Sequence, residues 1–137
     1  MRLRLRVALP VAIVAGLAAC GPPATGQTRS RTSPIVGDAT HGAQLYASRC
    51  GACHSIDANR VGPMHRGVVG RRVATAPGFH YSPALAARAF VWTPDNLDTW
   101  LQGPTRFVPG TAMGISVPSA QDRADIIAYL RTQTKPR

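Results

Sequence analysis

Lysine is almost missing from this chain: Lys135 stands alone, and acidic residues number only six in 137 positions. The sixteen basic residues are therefore nearly all arginine, and the formal net charge is +10. Such an excess suits a nucleic-acid surface only if it clusters on the fold. Here Arg2, Arg4 and Arg6 sit at the very front, and nucleic acid is not an expected partner. A long apolar run is also missing. Val7 to Ala19 is apolar apart from Pro10 and Gly16, but this stretch is too short to span a bilayer comfortably. No internal repeat is present. Cysteine is scarce, at three, and no second Cys/His pair accompanies the two that stand close together, so a four-ligand zinc site lacks ligands.

What is present begins with that front end. Three arginines followed by a short apolar run form an export signal, expected over residues 1–19. The run ends in Leu17-Ala18-Ala19-Cys20, which resembles a bacterial lipobox and makes Cys20 the candidate lipid attachment site. An ordinary cleavage site beside an incidental cysteine is the alternative. Residues 20–34 are Pro, Gly, Ser, Thr and Arg without apolar periodicity, and read as a flexible tether. Without the signal, 13 basic and six acidic residues remain, a net charge of +7.

Cys50-Gly51-Ala52-Cys53-His54 is Cys-x-x-Cys-His, the attachment signature for c-type haem. Two thiols three positions apart on one turn can each add to a haem vinyl group, and the adjoining imidazole can reach the iron from the same side. A redox pair would use the thiols but does not call for His54. The three cysteines are then accounted for as two thioethers and one lipid anchor.

A single domain is expected over residues 35–137. Asp38 is a candidate N-cap for a first helix, Ala39 to about Cys53, with Gly42 and Tyr46 on one face and Gly42 marking a close helix crossing. From Ser55 to Arg72, glycine and proline are too dense for a long helix or a central strand. Ser82-Pro83 opens a short helical piece over Ala84 to Ala89. Thr93-Pro94-Asp95 starts a helix with Leu97, Trp100 and Leu101 on its apolar stripe, ended by Gly103-Pro104. Phe107 to Ile115 is irregular. Ser119-x-x-Asp122 resembles a capping box for a last helix to about Thr132, burying Ala124, Ile127 and Leu130 with Ile126 and Tyr129 alongside. The fold class is all-α: three main helices, short helical turns and irregular Gly/Pro loops, with no room for a sheet.

These motifs, in this order, resemble class I c-type cytochromes of the mitochondrial type, nearest to their bacterial forms. The likeness runs from about Gly37 to Leu130. It rests on Gly42, Tyr46, the Cys50–His54 signature, Gly62-Pro63, Gly70-Arg71, Pro77 to Ser82, Trp92, Pro109 to Met113 and Asp125 to Leu130. The resemblance implies one haem c bound through Cys50 and Cys53, with His54 and Met113 as the iron ligands. It implies that the Pro63 carbonyl orients His54, and that Arg71, Tyr81 and Trp92 serve the propionates with Thr111 nearby. A cytochrome c fold wrapped around covalent haem follows, as does a one-electron carrier rather than an enzyme.

Met64 and His80 are the rivals of Met113 as sixth ligand, and His65 and His41 read as surface or packing residues. An open sixth site, giving a haem peroxidase or small-ligand sensor, is the alternative function. The domain departs from mitochondrial members in its largely apolar run from Ala84 to Phe90 and in its near lack of lysine. Arg49, Arg60, Arg66, Arg106 and Arg123 would have to replace those lysines in docking. Expected partners are redox proteins with acidic docking surfaces, such as an oxidase, a cytochrome complex, a reaction centre or a dehydrogenase. The chain is expected to be exported, on the periplasmic side, lipid-anchored to a membrane through Cys20, and monomeric.

Overall fold

The structure is a computed structural model that describes residues 35–134. The export signal, the tether and Cys20 lie outside the described residues.

The first helix, α1, runs Ala39–Arg49. Asp38 caps it, its carboxylate accepting from the backbone N–H groups of Thr40 and His41 at 2.7 and 3.2 Å. The helix stops short of Cys53. The Cys50 and Gly51 N–H groups both reach Tyr46 O, at 2.9 and 3.0 Å, and this sharing ends the regular winding. A tight turn follows in which Cys53 and His54 both donate to Cys50 O, at 3.0 and 2.8 Å. The two cysteines thus remain on one turn, as their spacing requires.

Three further pieces follow. A single turn, α2, spans Pro83–Ala86 under a Ser82 cap, shorter than the expected Ala84 to Ala89. Helix α3, Pro94–Gln102, has a complete capping box between Thr93 and Asn96, and buries Leu97, Trp100 and Leu101. Gly103 ends α3, and Pro104 opens another single turn, α4, over Pro104–Phe107. The last helix, α5, spans Ala120–Thr132. Ser119 accepts from Asp122 N–H at 3.2 Å. The Asp122 carboxylate instead pairs with Arg49 at 2.9 Å, across to α1. Only half of the expected capping box is therefore made. No strand occurs among the described residues; Arg72 and Val91 form one isolated antiparallel bridge.

Helices α1 and α5 cross at Gly42. A Cβ there would collide with the Asp125 carbonyl, so only glycine permits this approach. The crossing is sealed by the Tyr46 and Tyr129 rings, with centroids 5.3 Å apart. It is also pinned by Asp125, which is 2 % exposed and accepts from Asp38 N–H and Gln121 Nε2 and pairs with His41 Nδ1, each at 2.8 Å.

Arg123 does not belong to a docking surface. It is 5 % exposed, with Nε on Asp98 and Nη1 on the carbonyls of Val117 and Pro118. Its position explains this, because it lies four residues before Ile127 and seven before Leu130, on the buried stripe of α5.

Candidate haem site

One large cavity opens beside the α1–α5 crossing. It takes up about 1380 Å³, its open mouth included. Leu85, Trp100, Leu101, Ile126 and Leu130 make its walls apolar. Every site residue named from the sequence within the described chain lines it: Cys50, Cys53, His54, Pro63, Arg71, Tyr81, Trp92, Thr111 and Met113.

The turn after α1 presents His54, and the Pro63 loop returns against it. His54 Nδ1 lies 2.9 Å from Pro63 O. A carbonyl only accepts, so Nδ1 carries the proton and Nε2 keeps its lone pair for a metal. Burial pushes the imidazole below its ordinary pKa, which also favours the neutral, ligating form. Gly62 packs so closely that a Cβ would run into the imidazole ring. Asn59 fastens this loop, accepting from Met64 N–H at 2.9 Å and donating to Pro77 O at 2.8 Å.

His65 is the residue that the sequence reading undervalued. Its ring stacks on His54, with centroids 4.1 Å apart and planes 20° from parallel. Its Nδ1 lies 3.1 Å from the Tyr46 hydroxyl. Burial pushes its pKa down to about 3, assisted by the charges of His54 and Arg71, so the ring is neutral near pH 7. No local pattern signalled this contact, because it joins residues eleven and nineteen positions away that meet only after the loop has folded.

Met113 packs partly buried against the core and faces the cavity. Met64, His80 and His41 do not line it. Met64 supplies a backbone carbonyl to Arg71, His80 is exposed, and His41 is bound to Asp125. The Cys50 thiol is pushed up to about 11, chiefly by burial.

The polar end of the cavity has room for an anion. Arg71 is 8 % exposed, and donates to the carbonyls of Arg66 and Met64 at 3.1 and 2.8 Å. Its Nε is buried with no partner. Leaving such a donor unpaired costs about 1–3 kcal/mol, which a carboxylate at the cavity would remove. The Tyr81 hydroxyl accepts from Ala76 N–H at 3.1 Å and retains its own proton for donation. An apolar slot, a free imidazole nitrogen, a thioether and an orphaned guanidinium nitrogen together fit a flat group bearing a metal and carboxylates.

Comparison with known proteins agrees. The family described as cytochrome c matches residues 39–134. The cytochrome c-type protein cyt cy of Rhodobacter capsulatus is 46 % identical over 113 residues, covering 81 % of this chain but only 56 % of that protein. Cytochrome c2 of Rhodopila globiformis is 46 % identical over 99 residues, covering 70 % of this chain and 93 % of the relative. Among solved structures, cytochrome cH from Methylobacterium extorquens is similar with a TM-score of 0.67 at 40 % identity, over 70 % of this chain and 99 % of that one. The chain therefore belongs to the cytochrome c family: it carries haem c covalently through Cys50 and Cys53, and is an electron-transfer protein, not an enzyme.

Proposed function

We propose that this cytochrome is a membrane-tethered electron shuttle whose iron is held between His54 and Met113. The observation that carries the reading is the shared cavity: His54, its tautomer set by Pro63, and Met113, from a distant segment, both face into it. The haem, when bound, supplies a one-electron change between Fe(III) and Fe(II). If His54 and Met113 both ligated the iron, they would leave no position on it for a substrate. The thioether sulfur of Met113 favours Fe(II) over harder donors, and the apolar walls favour the state of lower charge. Arg71 would neutralise a propionate, and Tyr81, Trp92 and Thr111, which line the same cavity, would supply neutral donors around it.

The partners in this reading are acidic redox proteins, a donor and an acceptor, met through brief and salt-sensitive encounters. Arg60 and Arg106 are exposed and hydrogen-bond only to backbone carbonyls. Arg49 and Arg66 spend part of their charge on Asp122 and Asp57. Lipidation of Cys20 holds the domain at the periplasmic side of a membrane; among the described residues, no helix is long and apolar enough to cross one. A lipid anchor confines the search for partners to the membrane surface.

Absorption spectra of the oxidised and reduced protein, with and without carbon monoxide, test the ligand set. The wild type should be low-spin in both states and refuse carbon monoxide, whereas Met113→Ala should bind it. Carbon monoxide binding by the wild type, or an unaltered spectrum in Met113→Ala, would overturn the reading.

A further inference from the structure

We propose that His65 is a positioning residue for the iron ligand His54, and that Tyr46 holds it in place. The inference rests on His54 being that ligand. A hydrogen bond at Nδ1 fixes one edge of an imidazole, but leaves the ring able to rock about the axis through that bond. A flat ring stacked on its face removes that freedom. His65 supplies the face, 4.1 Å away and 20° from parallel.

A stack of this kind steers only if the second ring is itself fixed, and His65 is held on several sides. The Tyr46 hydroxyl lies 3.1 Å from its Nδ1, and the Tyr46 ring meets its edge with centroids 5.7 Å apart. Its backbone N–H donates to Ser55 O at 3.0 Å, beside His54, and its carbonyl accepts from Val68 N–H at 2.9 Å. Tyr46 in turn is wedged against Tyr129 at the helix crossing, 5.3 Å between centroids. A continuous contact path thus runs from α5 through Tyr129, Tyr46 and His65 to the ring of His54. The orientation of a ligand plane governs its overlap with iron d-orbitals of π symmetry. His65 therefore affects how unpaired spin in Fe(III) is spread over the haem, and the stability of Fe(III) against Fe(II).

The test uses the haem-loaded protein as wild type, His65→Leu, His65→Phe and Tyr46→Phe. The readouts are the hyperfine-shifted haem methyl resonances of the ferric protein, its electron-paramagnetic g-values, and the reduction potential. His65→Leu removes the flat face and should shift the methyl pattern, the g-values and the potential. His65→Phe keeps a flat ring without the Tyr46 bond and should restore most of the wild-type pattern. Tyr46→Phe should shift the spectra in the direction of His65→Leu, by less. Retention of the far-red methionine–iron band in each variant establishes that the opposite ligand is untouched. If His65→Leu keeps the wild-type methyl pattern, g-values and potential, the positioning role is wrong while the ligand assignment stands. If the wild-type ferric protein shows no ligated imidazole, both fall.

Discussion

Arg123 Nε donates to Asp98 Oδ1 at 2.7 Å while Nη1 of the same guanidinium donates to the carbonyls of Val117 and Pro118 at 3.0 and 2.8 Å. One side chain therefore ties α3 and α5 to the end of the segment that carries Met113. Val117 N–H adds a second tie, to Leu101 O at 2.7 Å. Removing the guanidinium strands the buried Val117 carbonyl and leaves the half-exposed Asp98 carboxylate unpaired. Arg123→Ala is expected to cost about 2–4 kcal/mol, whereas Arg106→Ala, at an exposed site, should stay within about 0.5 kcal/mol. Guanidinium unfolding of both variants checks this. The far-red methionine band of Arg123→Ala should also vanish at lower denaturant than in the wild type.

Asp125 makes the α1–α5 crossing sensitive to acid. Burial pushes its carboxyl up, but hydrogen bonds from Asp38 N–H, His41 and Gln121 outweigh that and hold it below the ordinary carboxylate range. A carboxyl depressed in the folded state adds stability above its unfolded value, about 3.9, and loses that contribution as pH falls through the folded value. Asp125→Asn should therefore be less stable than the wild type at neutral pH, with the gap closing below about pH 4. Urea midpoints measured for both proteins from pH 7 to pH 3 read the difference directly. A constant gap would refute the charge contribution.

Burial lowers the Arg71 pKa from its ordinary value, yet not enough to discharge it near neutrality. A fixed positive charge at the cavity disfavours Fe(III). Arg71→Gln should lower the reduction potential, by an amount equivalent to about 1 kcal/mol, while the thioethers remain. A redox titration checks the sign, and a potential that rises or stays put contradicts the charge argument.

Cys20→Ser should move the protein from the membrane fraction to the soluble periplasmic fraction, with the haem spectrum unchanged. Fractionation of cells expressing either form decides. Persistence of the variant in the membrane fraction would rule out a lipid as the anchor.

The Cys50–His54 attachment motif and the helix starts are legible in the sequence because each rests on local chemistry, whereas Met113 and the residues named for the propionates follow from the family resemblance. The Cys50–His54 spacing is a covalent requirement, Asp38, Thr93 and Ser119 cap through neighbours two or three residues on, and Gly42 marks a crossing by what it lacks. The rest depended on distance along the chain. Arg123 was read by its charge, although its phase relative to Ile127 and Leu130 placed it inside. His65 reads from the sequence only as a surface or packing residue, because its partners Tyr46 and His54 lie in α1 and the following turn. Asn96 closed a capping box that the usual Glu or Gln would have announced. Nine arginines and six aspartates fall within residues 35–134, a net +3, so more than half of the +7 lies outside the described domain.

The close fit of Gly42 against Asp125 also bears on how the chain folds. The hydrogen bond from Asp38 N–H to the Asp125 carboxylate joins positions 87 residues apart. Bringing such distant points together costs on the order of 4 kcal/mol in chain entropy before any contact offsets it. The thioethers at Cys50 and Cys53 would hold an apolar group in the cavity that Ile126 and Leu130 of α5 line. Covalent attachment would thus offset part of that entropy, by giving the far end of the chain an apolar surface to pack on.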